Sequence, residues 1–541
     1  MFRIIKTLLM FAACAVAVPS SNADRPNIVV VITDDQGYGD VGIHGNDKIR
    51  TPNLDRFARE GIQLTRFYVS PVCAPTRAAL MTGRYYYRTG VLHTNRGAAN
   101  MHGDEVTIAE VLSKNGYRTG LFGKWHLGGN YPMRPQDQGF GEVLMHHSGG
   151  IEQPPDLPNS YFDPILWQNG KQVQPKGYCA DIFFDAAFEF MEQNRKRPFF
   201  IYLPMNTPHT PLQVSDDYVA PYKAMGLDDT TAKIYGMVEN IDDNFGRLLA
   251  KLDELKLRDN TLVIFMTDNG PQQDRYNGGL RGRKTSTYEG GIRVPCFVQW
   301  PARWKGNRTV DRIAADMDWF PTFLDVTGAR KSAGLQLDGV SLVPLLSGKM
   351  KPESWPERAL FFQVHRGMAP QRYQNCAVVM QRHKLVGYPG TFNQADFKTS
   401  DTQPVLELYD LETDRAEKNN LASTRPELLA ELRGKYEAWF SQMKRARGFE
   451  PGVTYVGARQ ENPMRLCVWQ DAVWSGDRPL GWQTRIDRPG RFEIVVHRGT
   501  HAQSGQLKVA WQGQIFAQPV KANENQAVFK LPAGKGLLDV W

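Results

Sequence analysis

The stretch "RPNIVVVITDDQGYGD", residues 25–40, limits the possible folds more than any other part of the chain. A strand with one wet face alternates apolar and polar residues. This Val/Ile run does not alternate, so it is expected to be buried on both faces, as in a parallel sheet covered by helices. "RPFFIYLPMNTPHTP" (197–211), "NTLVIFMTDNG" (260–270) and "VPCFVQWP" (294–301) have the same character. Between them lie helical stretches: "TPNLDRFAREG" has a Thr/Asn start and a Gly stop, and "TIAEVLSKNGYRTGLFGKWHLG" reads as helix, turn, strand and loop. Strands alternating with helices predict a doubly wound α/β domain, whose functional groups lie beyond the carboxyl ends of the strands. Asp34, Asp35, His209, Asp268 and Asn269 all fall at such ends.

With 41% hydrophobic residues among 541, the chain can bury a large core and one or two smaller units. The first unit is expected over residues 24–345, and a linker is expected near "LLSGKMKPESWPERAL". A smaller α+β subdomain is expected over 346–450, with strand-like "ALFFQV", "CAVVM" and "HKLVGY" and the helix "RPELLAELRGKYEAWFSQMKR". From residue 451 to 541 the pattern becomes β-like and aromatic, as in "GRFEIVVHRG" and "QLKVAWQG", which predicts an accessory β-rich segment.

Residues 1–23 read as a signal peptide. Arg3 and Lys6 precede the apolar "TLLMFAACAVAV", and "SNA" places the cut after Ala23. Lipidation at Cys14 is the weaker alternative. No later run reaches about 18 uninterrupted apolar residues, so an exported chain, periplasmic or secreted, is expected rather than an integral membrane protein. The formal charge of +8, or +6 after cleavage, is scattered. It lacks the Lys/Arg runs of a nucleic-acid arm, which leaves a solvated basic surface or attraction of polyanionic substrates. The remaining cysteines, Cys73, Cys179, Cys296, Cys376 and Cys467, form no CxxC motif.

"PVCAPTRAALMTGR" (71–84) puts Cys73 at the start of a short helix, with Pro75 in the first turn and Gly83 as its stop. Cys73 is readable as a buried small hydrophobe, half of a disulfide, or a nucleophile. Arg77 follows one turn later on the same face, and an arginine beside a helix N-terminus suits an oxyanion. "TDDQG" and "TDNG" offer three carboxylates, Asp34, Asp35 and Asp268, and the amide of Asn269. Each alone reads as turn chemistry. Together they are hard oxygen ligands of the kind that Ca²⁺ or Mg²⁺ takes.

These motifs resemble those of the formylglycine-dependent type I sulfatases, which are arylsulfatase-like members of the alkaline phosphatase superfamily. Their hallmark C-x-P-x-R, whose cysteine is oxidised to formylglycine (3-oxoalanine), is matched within "PVCAPTRAALMTG". The second family signature resembles "GYRTGLFGKWHLG" and departs at Phe122, where a smaller apolar residue is usual. The resemblance runs from about Pro26 to about residue 445 through "KTSTYEGGIRVP", "LDGVSLVPLL" and "LYDLETDRAEKNNLA", where Arg415 replaces a usual proline. It implies an alkaline-phosphatase-like mixed sheet and hydrolysis of an organic sulfate monoester, sulfated carbohydrate or aryl sulfate. It also implies Ca²⁺ rather than Mg²⁺ on Asp34, Asp35, Asp268, Asn269 and modified Cys73, with Arg77, Lys124, His126, His209 and Lys284 as catalytic partners. A formylglycine-generating maturation enzyme follows from the same resemblance. Lys124 and His126, two apart, would point the same way in an extended stretch. Ser148, in "HHSGG", matches the family poorly and stays outside the catalytic set. His93, Arg96, His102, Tyr276 and Arg281 are candidates for the substrate mouth, each equally readable as structural. The alternatives are a phosphomonoester or phosphonate ester hydrolase of the same fold, and an inactive glycan-binding relative.

Overall fold

The computed structural model describes residues 25–365, 369–387, 405–475, 478–497 and 504–541. The expected signal peptide and Cys14 lie outside them. The Val/Ile run forms β1 (Asn27–Thr33), buried at every position. Ile28, Val30 and Ile32 enter one hydrophobic core while Val29 and Val31 enter the other. Two-sided burial follows from the strand's two-residue period once helices cover both faces.

β2 (Arg118–Lys124), β3 (Phe199–Pro204) and β4 (Thr261–Thr267) complete the parallel centre, with β1 between β3 and β4. The sheet has ten strands. From one edge they run Arg308–Val310, Ile62–Leu64, Cys296–Gln299, β4, β1, β3, β2, Glu142–His146, Leu166–Gln168 and Lys171–Val173. Cys296–Gln299 pairs antiparallel to β4, and the last two strands are also antiparallel, so the sheet is mixed. Helix α1 (Pro52–Glu60), with Cys179–Asn194 and Asp229–Glu254, covers the Val29/Val31 face. Helix α2 (Cys73–Thr82), with Ile108–Lys114 and Trp319–Thr327, covers the other.

The stretch expected to link two units is docked rather than free. Leu345 and Leu346 are buried in the main core, and Trp355 packs against it. Three apolar side chains in a nominal linker favour burial over solvation. Beyond it, strands Leu360–Gln363, Cys376–Val379, His383–Gly387 and Leu406–Asp410 form a four-stranded antiparallel sheet. Tyr436 and Trp439 of helix Pro426–Arg447 carry the main core into this region. After residue 451 the chain forms further β-sheets around a separate small core that includes Val509, Trp511 and Phe529. All five cysteines among the described residues are buried and free.

Candidate active site

Helix α2 forms as its residues dictate. Val72 enters extended (φ −152°), Cys73 is the first helical residue, and Pro75 sits where no N–H is needed. Gly83 adopts φ 66°, the left-handed conformation that glycine reaches without a Cβ penalty, and its N–H closes the helix on Ala79. Thr76 Oγ1 donates to the Asp268 carbonyl at 2.7 Å, tying α2 to the loop after β4.

β1 and β4 run parallel with Thr33 opposite Thr267, so the acids that follow each strand meet. The Asp35 amide donates to Asp268 Oδ1 (3.3 Å), and Asn269 Nδ2 donates to Asp35 Oδ1 (2.8 Å). Asp34 Oδ1, Asp35 Oδ2 and Asn269 Oδ1 are buried and accept no hydrogen bond. Buried polar atoms are nearly always partnered. Three unpartnered hard oxygens on neighbouring loops therefore fit a divalent ion such as Ca²⁺ or Mg²⁺. One atom each of Asp34, Cys73 and Asp268 lie within 4.8 Å of one another, which brings residue 73 to the same cluster.

Cations neutralise these acids. Lys124 Nζ lies 2.5 Å from Asp34, Lys284 Nζ 2.6 Å from Asp35, and Arg77 Nη2 2.7 Å from Asp268. Arg77 is wholly buried and also donates to the carbonyls of Lys124 (3.1 Å) and Met205 (3.4 Å). Burial by itself would raise the Asp34 pKa, but Lys124, His209, Arg77 and Lys284 hold it well below the carboxylate range. Asp268 is pushed up to about 7, because burial and the charge of Asp34 outweigh Arg77. Burial disfavours the charge on Lys284, yet Asp35 and its neighbours keep it above its ordinary value.

His126 departs from the extended geometry expected of "GKWHLG". Its φ is 60°, a left-handed conformation uncommon outside glycine. The turn sends Lys124 to Asp34 and His126 to Cys73, whose Sγ lies 3.3 Å from Nδ1. His126 Nε2 is 2.7 Å from the Thr94 carbonyl. A carbonyl only accepts, so Nε2 carries the hydrogen and the Nδ1 lone pair faces residue 73. Burial and Lys124 hold the imidazole neutral, well below its ordinary pKa. Burial likewise raises the Cys73 thiol despite Lys124 and Lys284, which makes it a poor nucleophile as a plain thiol. His209 Nδ1 donates to the Thr210 carbonyl at 2.6 Å, and its Nε2 stands 3.8 Å from Asp35.

Ser148 spends its hydroxyl on the Pro154 carbonyl, in keeping with its place outside the catalytic set. Gly149 and Gly150 instead let this loop lie against both histidines, since a Cβ on Gly149 would fall 2.8 Å from His126 Cε1. Phe122 is accommodated by Gly120, whose missing side chain leaves room for its ring, and it packs on Phe190. None of the five mouth candidates lines the cavity around Cys73; Arg96 lies over Trp474 and reaches Trp469. His102 bonds the Glu450 carbonyl, Arg281 bonds Tyr409 and Glu417, Tyr276 bonds His44, and His93 is buried against His365. Cys73, His126, His209 and Lys284 share a cavity of about 390 Å³ with Thr94, Gln153, Gln272 and Trp469, which the sequence reading missed. No local motif marks those four.

The sulfatase family model matches residues 26–329, and that of the N-sulphoglucosamine sulphohydrolase C-terminal region matches residues 283–442. The chain is 33% identical over 513 residues to human arylsulfatase A, covering 85% of this chain and 96% of that protein. It is 31% identical over 375 residues to dog N-acetylgalactosamine-6-sulfatase, covering 63% and 70% of the two chains. The crystal structure of Ps i-CgsB in complex with k-i-k-neocarrahexaose superposes with a TM-score of 0.68 at 30% identity, over 77% of this chain and 92% of that one. The fold is alkaline-phosphatase-like. A match to more than half the chain, on a sheet whose strand ends gather acids, lysines and histidines around Cys73, makes this chain a member of the sulfatase family, and an enzyme.

Proposed function

We propose that the chain removes sulfate from a sulfated carbohydrate, using residue 73 as formylglycine and a Ca²⁺ ion. The observation that carries this reading is the aim of the His126 Nδ1 lone pair at residue 73, next to three unpartnered acid and amide oxygens. The relatives are named as an N-acetylgalactosamine-6-sulfatase and an arylsulfatase, and a solved relative is in complex with k-i-k-neocarrahexaose. Asp34, Asp35, Asp268, Asn269 and residue 73 would hold Ca²⁺, which supplies charge neutralisation for the sulfate oxygens. Oxidised and hydrated, residue 73 supplies two hydroxyls on one carbon, one for attack on sulfur and one whose deprotonation releases sulfate.

The side chains supply the rest. Lys124 and Lys284 bind sulfate oxygens and hold the charge that develops on them. His126 takes a proton at Nδ1, with Nε2 anchored on Thr94, and its neutrality at physiological pH keeps that lone pair available. Lys284, which keeps its charge, or His209 once it has taken a proton at Nε2, protonates the departing alcohol. Arg77 fixes Asp268 beside α2 through two hydrogen bonds to Oδ2. The scattered positive charge favours a polyanionic glycan. No described helix is long and apolar enough to cross a membrane. Export to the periplasm or medium, maturation by a formylglycine-generating enzyme, and division at about residues 345 and 450 into catalytic, α+β and β-rich parts belong to the same proposal.

Peptide mass spectrometry of protein made with the maturation enzyme should find the aldehyde at position 73. Cys73→Ala should lose sulfate-ester hydrolysis, and full activity in that variant would sink the mechanism.

A further inference from the structure

Trp469 lies in the wall of the cavity that holds Cys73, although both family models end before it. Its side chain is large and apolar, yet 41% exposed. The backbone that carries it is anchored. The indole N–H groups of Trp474 and Trp482 donate to the carbonyls of Val468 (3.1 Å) and Cys467 (3.3 Å), and the Cys467 amide donates to Asp471 (2.9 Å). This turn docks on the loop of residues 94–97. The Arg96 amide donates to the Trp469 carbonyl (3.1 Å), and the Gly97 amide donates to that of Gln470 (2.8 Å). Gly97 has φ 74°, and a Cβ there would fall 2.9 Å from the Asp471 carbonyl, so the two segments fit only with glycine. Three residues earlier in this loop, Thr94 anchors His126. An exposed aromatic ring carried on a backbone anchored beside His126 is poised to bind a ligand.

We propose that Trp469 is the platform on which the pyranose ring bearing the reactive sulfate stacks, so that the terminal β-rich segment completes the substrate site. This rests on the sulfatase reading for the sulfate and adds the chemical class of the alcohol. A pyranose has a C–H face that suits an indole and a rim of hydroxyls that suits amides. Gln153 and Gln272 line the same cavity, together with Asn95 and the half-exposed Arg283. The three amides answer hydroxyls, while Arg283 is paired with Asp274 at 3.2 Å and donates to the Gln272 carbonyl. A flat aryl group would use the indole and leave the amides idle.

The test uses the full-length protein. Calorimetric titration of the Cys73→Ala protein with N-acetylgalactosamine 6-sulfate, neocarrahexaose and p-nitrophenyl sulfate is repeated with Trp469→Ala and Trp469→Phe added. At least one saccharide should bind about tenfold more weakly with Trp469→Ala, equivalent to about 1.4 kcal/mol. Trp469→Phe should recover most of that loss. In otherwise unaltered matured enzyme, Trp469→Ala should raise KM for that saccharide by a similar factor and leave kcat within about twofold. Saccharide binding indifferent to Trp469 overturns the proposal, as does an effect confined to p-nitrophenyl sulfate. An equal fall in kcat for every substrate also overturns it, because that marks a structural role. Tryptophan-dependent saccharide binding by a matured protein that desulfates nothing would uphold the platform and refute the proposed hydrolysis.

Discussion

Arg77→Met tests the charge balance around α2. The guanidinium is fully buried and donates twice to Asp268 Oδ2, at 2.7 and 3.1 Å, and to two backbone carbonyls. Met nearly fills the space, so the loss is mostly electrostatic. Without Arg77, Asp268, already raised to about 7, must stay charged without its partner or take up a proton, and breaking such a buried pair costs about 3–5 kcal/mol. Over a unit of this size that lowers Tm by about 3–8 °C. Scanning calorimetry is the assay, because a chain with several cores need not unfold in two states. Adding Asp268→Asn removes the stranded charge, so the double variant should be more stable than the two single effects summed, by about 2 kcal/mol or more. Both comparisons should be made in chelator and again with Ca²⁺. A Tm for Arg77→Met within about 1 °C of wild type, or strict additivity with Asp268→Asn, would refute the reasoning.

Ca²⁺ should raise Tm of the wild-type protein, by the equivalent of about 2.7 kcal/mol at a hundred times its Kd. Asp35→Asn should blunt that rise, and an equal rise in the variant counts against the metal site. His126→Ala should lower kcat about 10²- to 10⁴-fold with little change in KM; an unchanged kcat rules out His126 as the base. Burial holds His146 down to about 3 from an ordinary 6.5. The unfolded chain therefore takes up its proton first as pH falls, and the stability His146 gives above pH 6.5 is lost progressively toward pH 3. At pH 5 that loss is about 2 kcal/mol, so His146→Gln should shrink the fall in Tm between pH 7 and pH 5, and identical falls would contradict the assignment. Matured enzyme should hydrolyse an aryl sulfate far faster than the matching aryl phosphate, and the reverse order would favour the phosphoesterase alternative.

Where sequence and structure agree, the determinants are local. β1 needed only its unbroken Val/Ile run, and α2 only Pro75 and Gly83 at their positions. The acids were legible because they follow buried strands, although their meeting depends on the parallel pairing of β1 with β4. The stretch read as a linker hid its anchoring, since whether Leu345 and Leu346 are buried depends on a core built from distant segments. His126 was legible as a residue but not as a geometry. An extended backbone predicted that it would point with Lys124, and the left-handed turn sent the two to different partners.

Sequence by itself determined the chemical inventory: which strands are buried on both faces, where the acids and histidines follow them, and that Cys73 heads a helix. Those properties come from periodicity and from neighbours a few residues apart. Tertiary structure alone decided the tautomer of His126, which depends on a carbonyl from the 93–97 loop, and the arrival of Trp469 at the cavity from the terminal segment. The physical reason is that both are contacts between segments far apart in the chain, and a contact of that kind leaves no periodic trace in either one.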